Sequence, residues 1–481
     1  MSKFLLCLVV LFLPFLAVAQ DAPAKRPNIL FCIADDWSYG HAGIYGDKVV
    51  KTPNFDRIAR EGALFHQTYC ASPSCTPSRG AILTGRPVHQ LEEGASLWSA
   101  LPSKFKVYPN ELEAAGYVVG VEGKGWAPGD FKAGGWPRNP AGPNFKDFET
   151  FLSKVPKDKP FCFWYGSHDP HRPYETGSGL RAGMNPNDVR LPAFWPDSPE
   201  VRSDVCDYYV RVQRFDQRLG ELLKALENAG RLEDTMIVVT SDNGMPFPRG
   251  KATLYLQGTR MPLAIRWPGH AKPGTEINSF VQQIDFAPTF LQAAGVSVPP
   301  EMGGHSLLSL LAGDFSNERK EVFTERERHA NVRVGNQSYP SRAIRTNKWL
   351  YIWNLRPDRW PAGDPEMVFA VGEYGDVDPG PAKDYIAGLI NDPARLNYYR
   401  LSFGKRPGEE LYDLEADPDQ LHNLADTTDY KKVQEEMHGR LLKWMTDTND
   451  PRALHDDDRW DLTPYYGKPG REMTPVDPTK K

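Results

Sequence analysis

Four short runs in this chain share one design: nearly continuous apolar residues that end abruptly in charged or amide side chains. NILFCIA runs into Asp35 and Asp36, and TMIVVTS into Asp242 and Asn243. FCFWYGS runs into His168 and His171, and YVVGVEG into Lys124. Runs of this length without polar alternation are strands buried on both faces. Helical patterns separate them. TPNFDRIAREG has Thr52 as N-cap, Pro53 at the first helical position and Gly62 as stop, and PNELEAAG closes at Gly116. From Val205, apolar residues recur at Tyr209, Val212, Phe215, Leu219, Leu222 and Leu226, and Gly230 ends the pattern. Alternating strands and helices predict an α/β fold with a large, mostly parallel sheet flanked by helices. Ligands in such folds bind beyond the carboxyl ends of the strands, where the polar residues named here converge.

The chain has 481 residues, more than one ordinary core holds. Residues 20–320 are expected to form the main domain. Beyond them, SRAIRTNKWLYIWNL and EELYDLEADPDQLHNLA read as strands joined by turns, and residues 431–446 as an amphipathic helix. Residues 321–481 are therefore expected to form a smaller α+β domain around a short antiparallel sheet, with an extended tail from Ala453. A net charge of -5 gives no sign of a nucleic-acid partner.

At the start, MSKFLLCLVVLFLPFLAVAQ carries Lys3, an apolar run over residues 4–19, and a small-x-small exit at Ala17 and Ala19. This predicts a signal peptide over residues 1–19. The run is short for a membrane span and contains Pro14. The mature protein is expected to be exported, without a membrane span, to a periplasmic or extracellular location; lysosomal sorting stays open. Removing Cys7 with the leader leaves Cys32, Cys70, Cys75, Cys162 and Cys206, an odd number. At least one thiol then has a reason to stay unpaired in an oxidising compartment. Cys75 is the one in a polar, glycine-rich setting, SPSCTPSRGAILTGR.

Asp35, Asp36, Asp242 and Asn243 offer hard oxygen ligands, suited to Ca²⁺ or Mg²⁺ and not to zinc. Alone, Asp-Asp reads as a cap and SDNG as an ordinary turn. Two such strand ends at one sheet edge favour a metal site, because a cation offsets adjacent buried carboxylates. In CTPSRG, Pro77 and Ser78 predict a helix over residues 78–84. Cys75 would then sit just ahead of a positive helix end, which favours anions and lowers a thiol pKa. Arg79, one turn on, can fork onto a tetrahedral oxyanion. The plainer alternative is a structural cysteine beside a surface arginine.

The motif Cys75-x-Pro77-Ser78-Arg79, followed by GAILTGR, resembles the signature of the type I sulfatases of the alkaline phosphatase superfamily. RPNILFCIADD, TPNFDRIAREG, SHDPHRPY, TSDNGMPFPRGK and ELYDLEADPDQLHNLA follow in the family's order. SDNGMPFPRGKATLY, HDPHR and SYPSRAIRTNKWLYIWNL look most like the N-sulfoglucosamine sulfohydrolase (heparan sulfamidase) branch. The resemblance implies an alkaline-phosphatase-like sandwich and oxidation of Cys75 to formylglycine by a formylglycine-generating or sulfatase-maturating enzyme. It implies one Ca²⁺ held by Asp35, Asp36, Asp242 and Asn243 together with residue 75, Cys75 before maturation. Arg79, Lys124 and Lys251 would hold the sulfate, and His168 would protonate the leaving group. His171, His329 and Arg342 would contact a sulfated saccharide. Two features depart from the pattern. Trp126 stands where the family usually has histidine, and LEEGASLWSA (residues 91–100) differs from the sulfamidases. The expected activity is removal of sulfate from a sulfated carbohydrate, first an N-sulfate. The alternatives are an O-sulfatase on an algal or host polysaccharide, a phosphoesterase of the same superfamily, or an inactive glycan-binding homologue.

Overall fold

The computed structural model describes residues 26–366, 372–453 and 457–467, so the expected leader lies outside the described residues. Eight strands build the main sheet: β1 (Asn28–Ala34), β2 (Ala63–Tyr69), β3 (Val118–Gly123), β4 (Phe161–Gly166), β5 (Thr235–Ser241), β6 (Arg260–Arg266), β7 (Thr275–Ile277) and β8 (Val281–Gln282). Their order is β3-β4-β1-β5-β6-β2-β7, with β8 also on β2. β3, β4, β1 and β5 are mutually parallel, whereas β6 runs antiparallel to β5 and β2.

Every residue of β1 is buried, because the strand lies at the middle of two covered faces. The pleat sends Ile29, Phe31 and Ile33 into one hydrophobic core and Leu30, Cys32 and Ala34 into the other. The helix Pro199–Asn228 covers the second core with Val205, Tyr209, Val212, Phe215, Leu219, Leu222 and Leu226. It begins earlier than the apolar spacing indicates. Ser198 accepts a hydrogen bond from the Val201 N–H at 3.3 Å, and Pro199 supplies the helical φ at the first position. Thr52 does precede the helix Pro53–Glu61, but its hydroxyl donates to Asp56 instead of capping a backbone N–H.

Register fixes where the polar strand ends go. Ala34 pairs with Ser241, while Ile33 and Gly123 both pair with Gly166. The first residues beyond β1, β3, β4 and β5 therefore emerge along a single edge.

A second sheet holds β9 (Val322–Arg326), β10 (Ser341–Arg345), β11 (Trp349–Asn354) and β12 (Glu409–Asp413), antiparallel in the order β12-β11-β10-β9. The helix Lys431–Asp447 lays Met437, Leu441 and Met445 on Ile344, Tyr351 and Leu411. The opposite face meets Leu254 and Tyr255, so the small sheet abuts the segment that follows β5. Trp460 is buried in the main core and donates its indole N–H to the Glu92 carbonyl at 2.8 Å. Among the described residues all five cysteines are free thiols, and no helix is long and apolar enough to cross a membrane.

Candidate active site

The helix that carries the cysteine spans Cys75–Thr84, with Ser74 in extended conformation as N-cap. It starts earlier than Pro77 and Ser78 indicate. Proline is tolerated anywhere in the first turn, where the missing N–H has no partner to lose. Cys75 is thus inside the first turn and is 2 % exposed. Ser78 Oγ lies 2.6 Å from the Asp242 carbonyl and 2.7 Å from Gln283 Oε1, which fastens this helix to the end of β5.

Four carboxylate or thiol groups meet here. Ligand atoms of Asp35, Asp36, Cys75 and Asp242 all lie within 4.8 Å of one another, and all four residues are buried. Each carboxylate has its own cation. Lys124 Nζ reaches both oxygens of Asp35, at 2.7 and 2.8 Å. Lys251 Nζ is 2.8 Å from Asp36, and Arg79 Nε is 2.8 Å from Asp242. Arg79 is held further by the Lys124 carbonyl at 2.6 Å. Asn243 Nδ2 donates to Asp36 Oδ1 at 2.6 Å. Asp36 adopts a left-handed φ of 77°, which lets its N–H reach Asp242 Oδ1 at 3.1 Å.

Two buried polar atoms in this group have no hydrogen-bond partner: Asn243 Oδ1 and Arg79 Nη2, the latter within ion-pair range of Asp35 at 3.6 Å. A buried amide oxygen among three carboxylates is a donor set for a hard cation, and a free guanidinium N–H is a contact for an oxyanion. The residues present therefore fit a Ca²⁺- or Mg²⁺-sized ion.

Electrostatics separate the two adjacent aspartates. Burial alone would raise Asp35, but Lys124, with His171 and Arg79, holds it well below the usual carboxylate range. Burial, reinforced by Asp35 and Asp242, pushes Asp36 up to about 6 despite Lys251. Burial also pushes the Cys75 thiol well above its ordinary value and outweighs Lys124 and Lys251. This corrects the expectation that a helix end lowers it: unmodified, Cys75 stays protonated.

His168 is exposed at the end of β4, its pKa lowered by burial of part of the ring and by Lys124 and Arg79. His171 Nδ1 lies 2.6 Å from the Arg172 carbonyl, which fixes a proton on Nδ1 and turns Nε2 inward, 3.7 Å from Asp36. His329 is buried behind the cysteine, with Nδ1 2.8 Å from Ser74 Oγ. Burial and Lys251 take it down to about 3, so it is neutral.

One sequence reading needs correction. Arg342 is fully buried in the small sheet, where its Nε is 2.6 Å from Asp450 and its Nη2 2.8 Å from Glu327. All its charge is used there, and none is offered to a ligand. Trp126 stands where the family usually has histidine. It is 1 % exposed in the main core, and a Cβ added at Gly80 of the cysteine helix would meet its indole nitrogen at 3.4 Å. Asp378 was not legible in sequence: its Oδ2 lies 3.3 Å from Lys251 Nζ, on a loop with no motif of its own.

The family model described as Sulfatase matches residues 27–134 and 141–296, which include every cationic and acidic group of this cluster except Asp378. The chain belongs to the sulfatase family. A second model, for the C-terminal part of N-sulphoglucosamine sulphohydrolase, matches residues 249–364 of this sulfatase. Human N-sulphoglucosamine sulphohydrolase is 29% identical over 89% of this chain and 91% of its own length. An ulvan-active sulfatase of Formosa agariphila is 28% identical over 89% of this chain and 81% of its own. A protein solved in complex with its substrate D-glucosamine-2-N,6-O-disulfate shares the fold. Its TM-score is 0.65 and its identity 22%, covering 90% of this chain and 99% of that one. The large mixed sheet with a small antiparallel sheet is thus the alkaline-phosphatase-like sandwich expected of a sulfatase.

Proposed function

We propose that this sulfatase hydrolyses sulfate from a sulfated sugar, with the N-sulfate of glucosamine as its first substrate, after export and maturation of Cys75. One observation carries the reading. Arg79, Lys124 and Lys251 converge on the cysteine at the end of the parallel sheet, beside an unpartnered amide oxygen and an unpartnered guanidinium N–H. The N-sulfate preference is supported by the sulphohydrolase model, whose match begins just before Lys251. An ester sulfate of an algal polysaccharide is the second reading, favoured by the nearly equal similarity to the ulvan-active relative.

Asp35, Asp36, Asp242 and Asn243 would hold Ca²⁺, which would supply Lewis-acid polarisation of a sulfate oxygen. Residue 75, as formylglycine hydrate, would supply the attacking hydroxyl. The chain's own groups do the rest. Arg79 Nη2, whose N–H makes no hydrogen bond to the protein, and the ammonium groups of Lys124 and Lys251 bind the sulfate oxygens and the charge that grows on them. Because these cations are buried and fixed by carboxylates, no reorganisation is needed when that charge develops. His168, at the open side, donates a proton to the departing nitrogen as the S–N bond breaks. The second hydroxyl of residue 75 would then lose its proton as the carbon–oxygen bond to sulfate breaks and the aldehyde re-forms; water rehydrates that aldehyde and so enters the products as sulfate oxygen and amine hydrogen.

The test is desulfation of defined sugars by matured protein, with the residue-75 peptide read by mass spectrometry. Release of sulfate from N-sulfoglucosamine by a formylglycine-bearing chain is expected. A fully converted chain that leaves N-sulfoglucosamine intact but cleaves an O-sulfate moves the assignment to the second reading. Unconverted thiol with no turnover on any sugar overturns both.

A further inference from the structure

Asp378 is the one carboxylate around Lys251 that the sulfate-gripping cluster does not need. Asp36 already holds this ammonium at 2.8 Å, and Asp378 adds a second, longer contact at 3.3 Å from another loop. The two acids differ in access. The Asp36 side chain is 0% exposed and the Asp378 side chain 23% exposed, with the Lys251 side chain at 4% between them. Carboxylate oxygens of Asp36 and Asp378 and a ring nitrogen of His171 all fall within 4.8 Å of one another, so Asp378 stands at the mouth beside His171. Lys251 is its only direct partner among the described residues. A carboxylate accepts about four hydrogen bonds, so most of its capacity is not used by the described residues.

We propose that Asp378 is a specificity residue: it accepts a hydrogen bond from the free sugar hydroxyl next to the scissile sulfate and rejects a substrate sulfated at that neighbouring position. This rests on the sugar-sulfate reading above. Lys251 bridges the sulfate position and Asp378, so a sulfate oxygen on Lys251 lies at most about 6 Å from the Asp378 carboxylate. A hydroxyl on the adjacent ring carbon falls within that span. The charge balance points the same way. Arg79, Lys124 and Lys251 face Asp35, Asp36, Asp242 and Asp378, which leaves one net negative charge. A divalent cation turns this into one positive charge, which a single sulfate group neutralises. A second sulfate would meet the Asp378 carboxylate beside the His171 ring, while Arg172, the other cation near Asp378, is already paired with Asp204.

The experiment compares kcat/KM for N-sulfoglucosamine and for N,3-O-disulfoglucosamine in the wild type, Asp378→Asn and Asp378→Ala. Binding of both sugars to the same variants in a Cys75→Ala background is measured by calorimetry. The wild type is expected to prefer the singly sulfated sugar by at least about 100-fold. Either variant should shrink that ratio by about 10- to 100-fold, in turnover and in binding alike. If Asp378 only steadies Lys251, both sugars fall in parallel and the ratio holds, which overturns the proposal. A wild type indifferent to the second sulfate also overturns it. If the wild type cleaves a different sulfated sugar, the N-sulfate reading fails on its own. The same ratio, taken with that sugar's neighbouring hydroxyl free or sulfated, then decides for or against Asp378.

Discussion

Lys124 Nζ sits 2.7 and 2.8 Å from the two oxygens of Asp35, and both side chains are almost wholly withdrawn from water. One comes from the end of β3 and the other from the end of β1, so the pair exists only because β4 lies between those strands in parallel register. A buried pair of this kind adds little net stability, but breaking it strands a charge.

Lys124→Met is therefore expected to lower unfolding stability by about 3 kcal/mol, because it leaves Asp35 buried with only the longer Arg79 contact, 3.6 Å, as its cation. Lys124→Met with Asp35→Asn should recover most of that loss without recovering turnover. Denaturant unfolding of the wild type, both single variants and the double variant checks this. Strictly additive losses would mean that the two groups do not interact in solution.

Asn243 Oδ1 is buried with no partner. If it is a cation ligand, Ca²⁺ at a hundredfold excess over Kd should stabilise the wild type by about 2.7 kcal/mol and raise its melting temperature accordingly. Chelator should reverse the rise, and Asn243→Ala should respond to neither. Differential scanning fluorimetry suffices. An Asn243→Ala protein that responds to Ca²⁺ like the wild type would remove Asn243 from the ligand set.

How much of this was legible in the sequence follows from which forces are local. The apolar runs of β1, β4 and β5, each ending in polar residues, announced both the parallel sheet and the converging edge. Burial on two faces writes itself directly into composition. The start of the cysteine helix was misplaced because Pro77 fits any position of a first turn. Asp378 was invisible, as only tertiary packing brings its loop to Lys251. Arg342 was misassigned for a related reason. An arginine on a strand looks free until its partners appear, here Glu327 on the segment after β9 and Asp450 far along the chain.

His89 gives a pH dependence unconnected with catalysis. Its Nδ1 is 2.9 Å from Glu325 and its Nε2 is 3.1 Å from the Thr448 carbonyl, so both nitrogens face acceptors and the ring is an imidazolium. Asp450 lies 3.8 Å away, and Arg342, paired to Asp450, is the nearby opposing cation. Burial would lower this histidine, but Glu325, and then Asp450, raise it above its ordinary value. A raised folded-state pKa contributes stability that is complete below the unfolded pKa, near 6.5, and is lost as pH rises through the folded value. The wild type should thus lose stability above about pH 6.5 relative to His89→Gln. At pH 6 the variant should be about 2 kcal/mol less stable. Parallel melting curves of the two proteins from pH 5.5 to 9 would show that His89 is neutral when folded.

Trp126 raises the sharpest question about the pocket, since the family usually has histidine there. The indole is buried between the cysteine helix and Gly129, where a Cβ would meet its ring at 2.8 Å. Its backbone is tied by Asn139, which accepts from the Trp126 N–H at 3.0 Å and donates to the Trp126 carbonyl at 3.0 Å. The backbone thus aims residue 126 into the core. Trp126→His should therefore not restore a missing catalytic group. It would remove packed ring surface and bury an unpaired imidazole, at a cost of about 3 kcal/mol. Turnover below the melting temperature should stay at or under the wild-type value. A Trp126→His enzyme about tenfold faster than wild type, a barrier lowered by about 1.4 kcal/mol, would mean that residue 126 reaches the reacting sulfate after all. Without that gain, His168 stands unchanged as the proposed proton donor to the leaving group, with His171 the other imidazole that β4 delivers to the same edge.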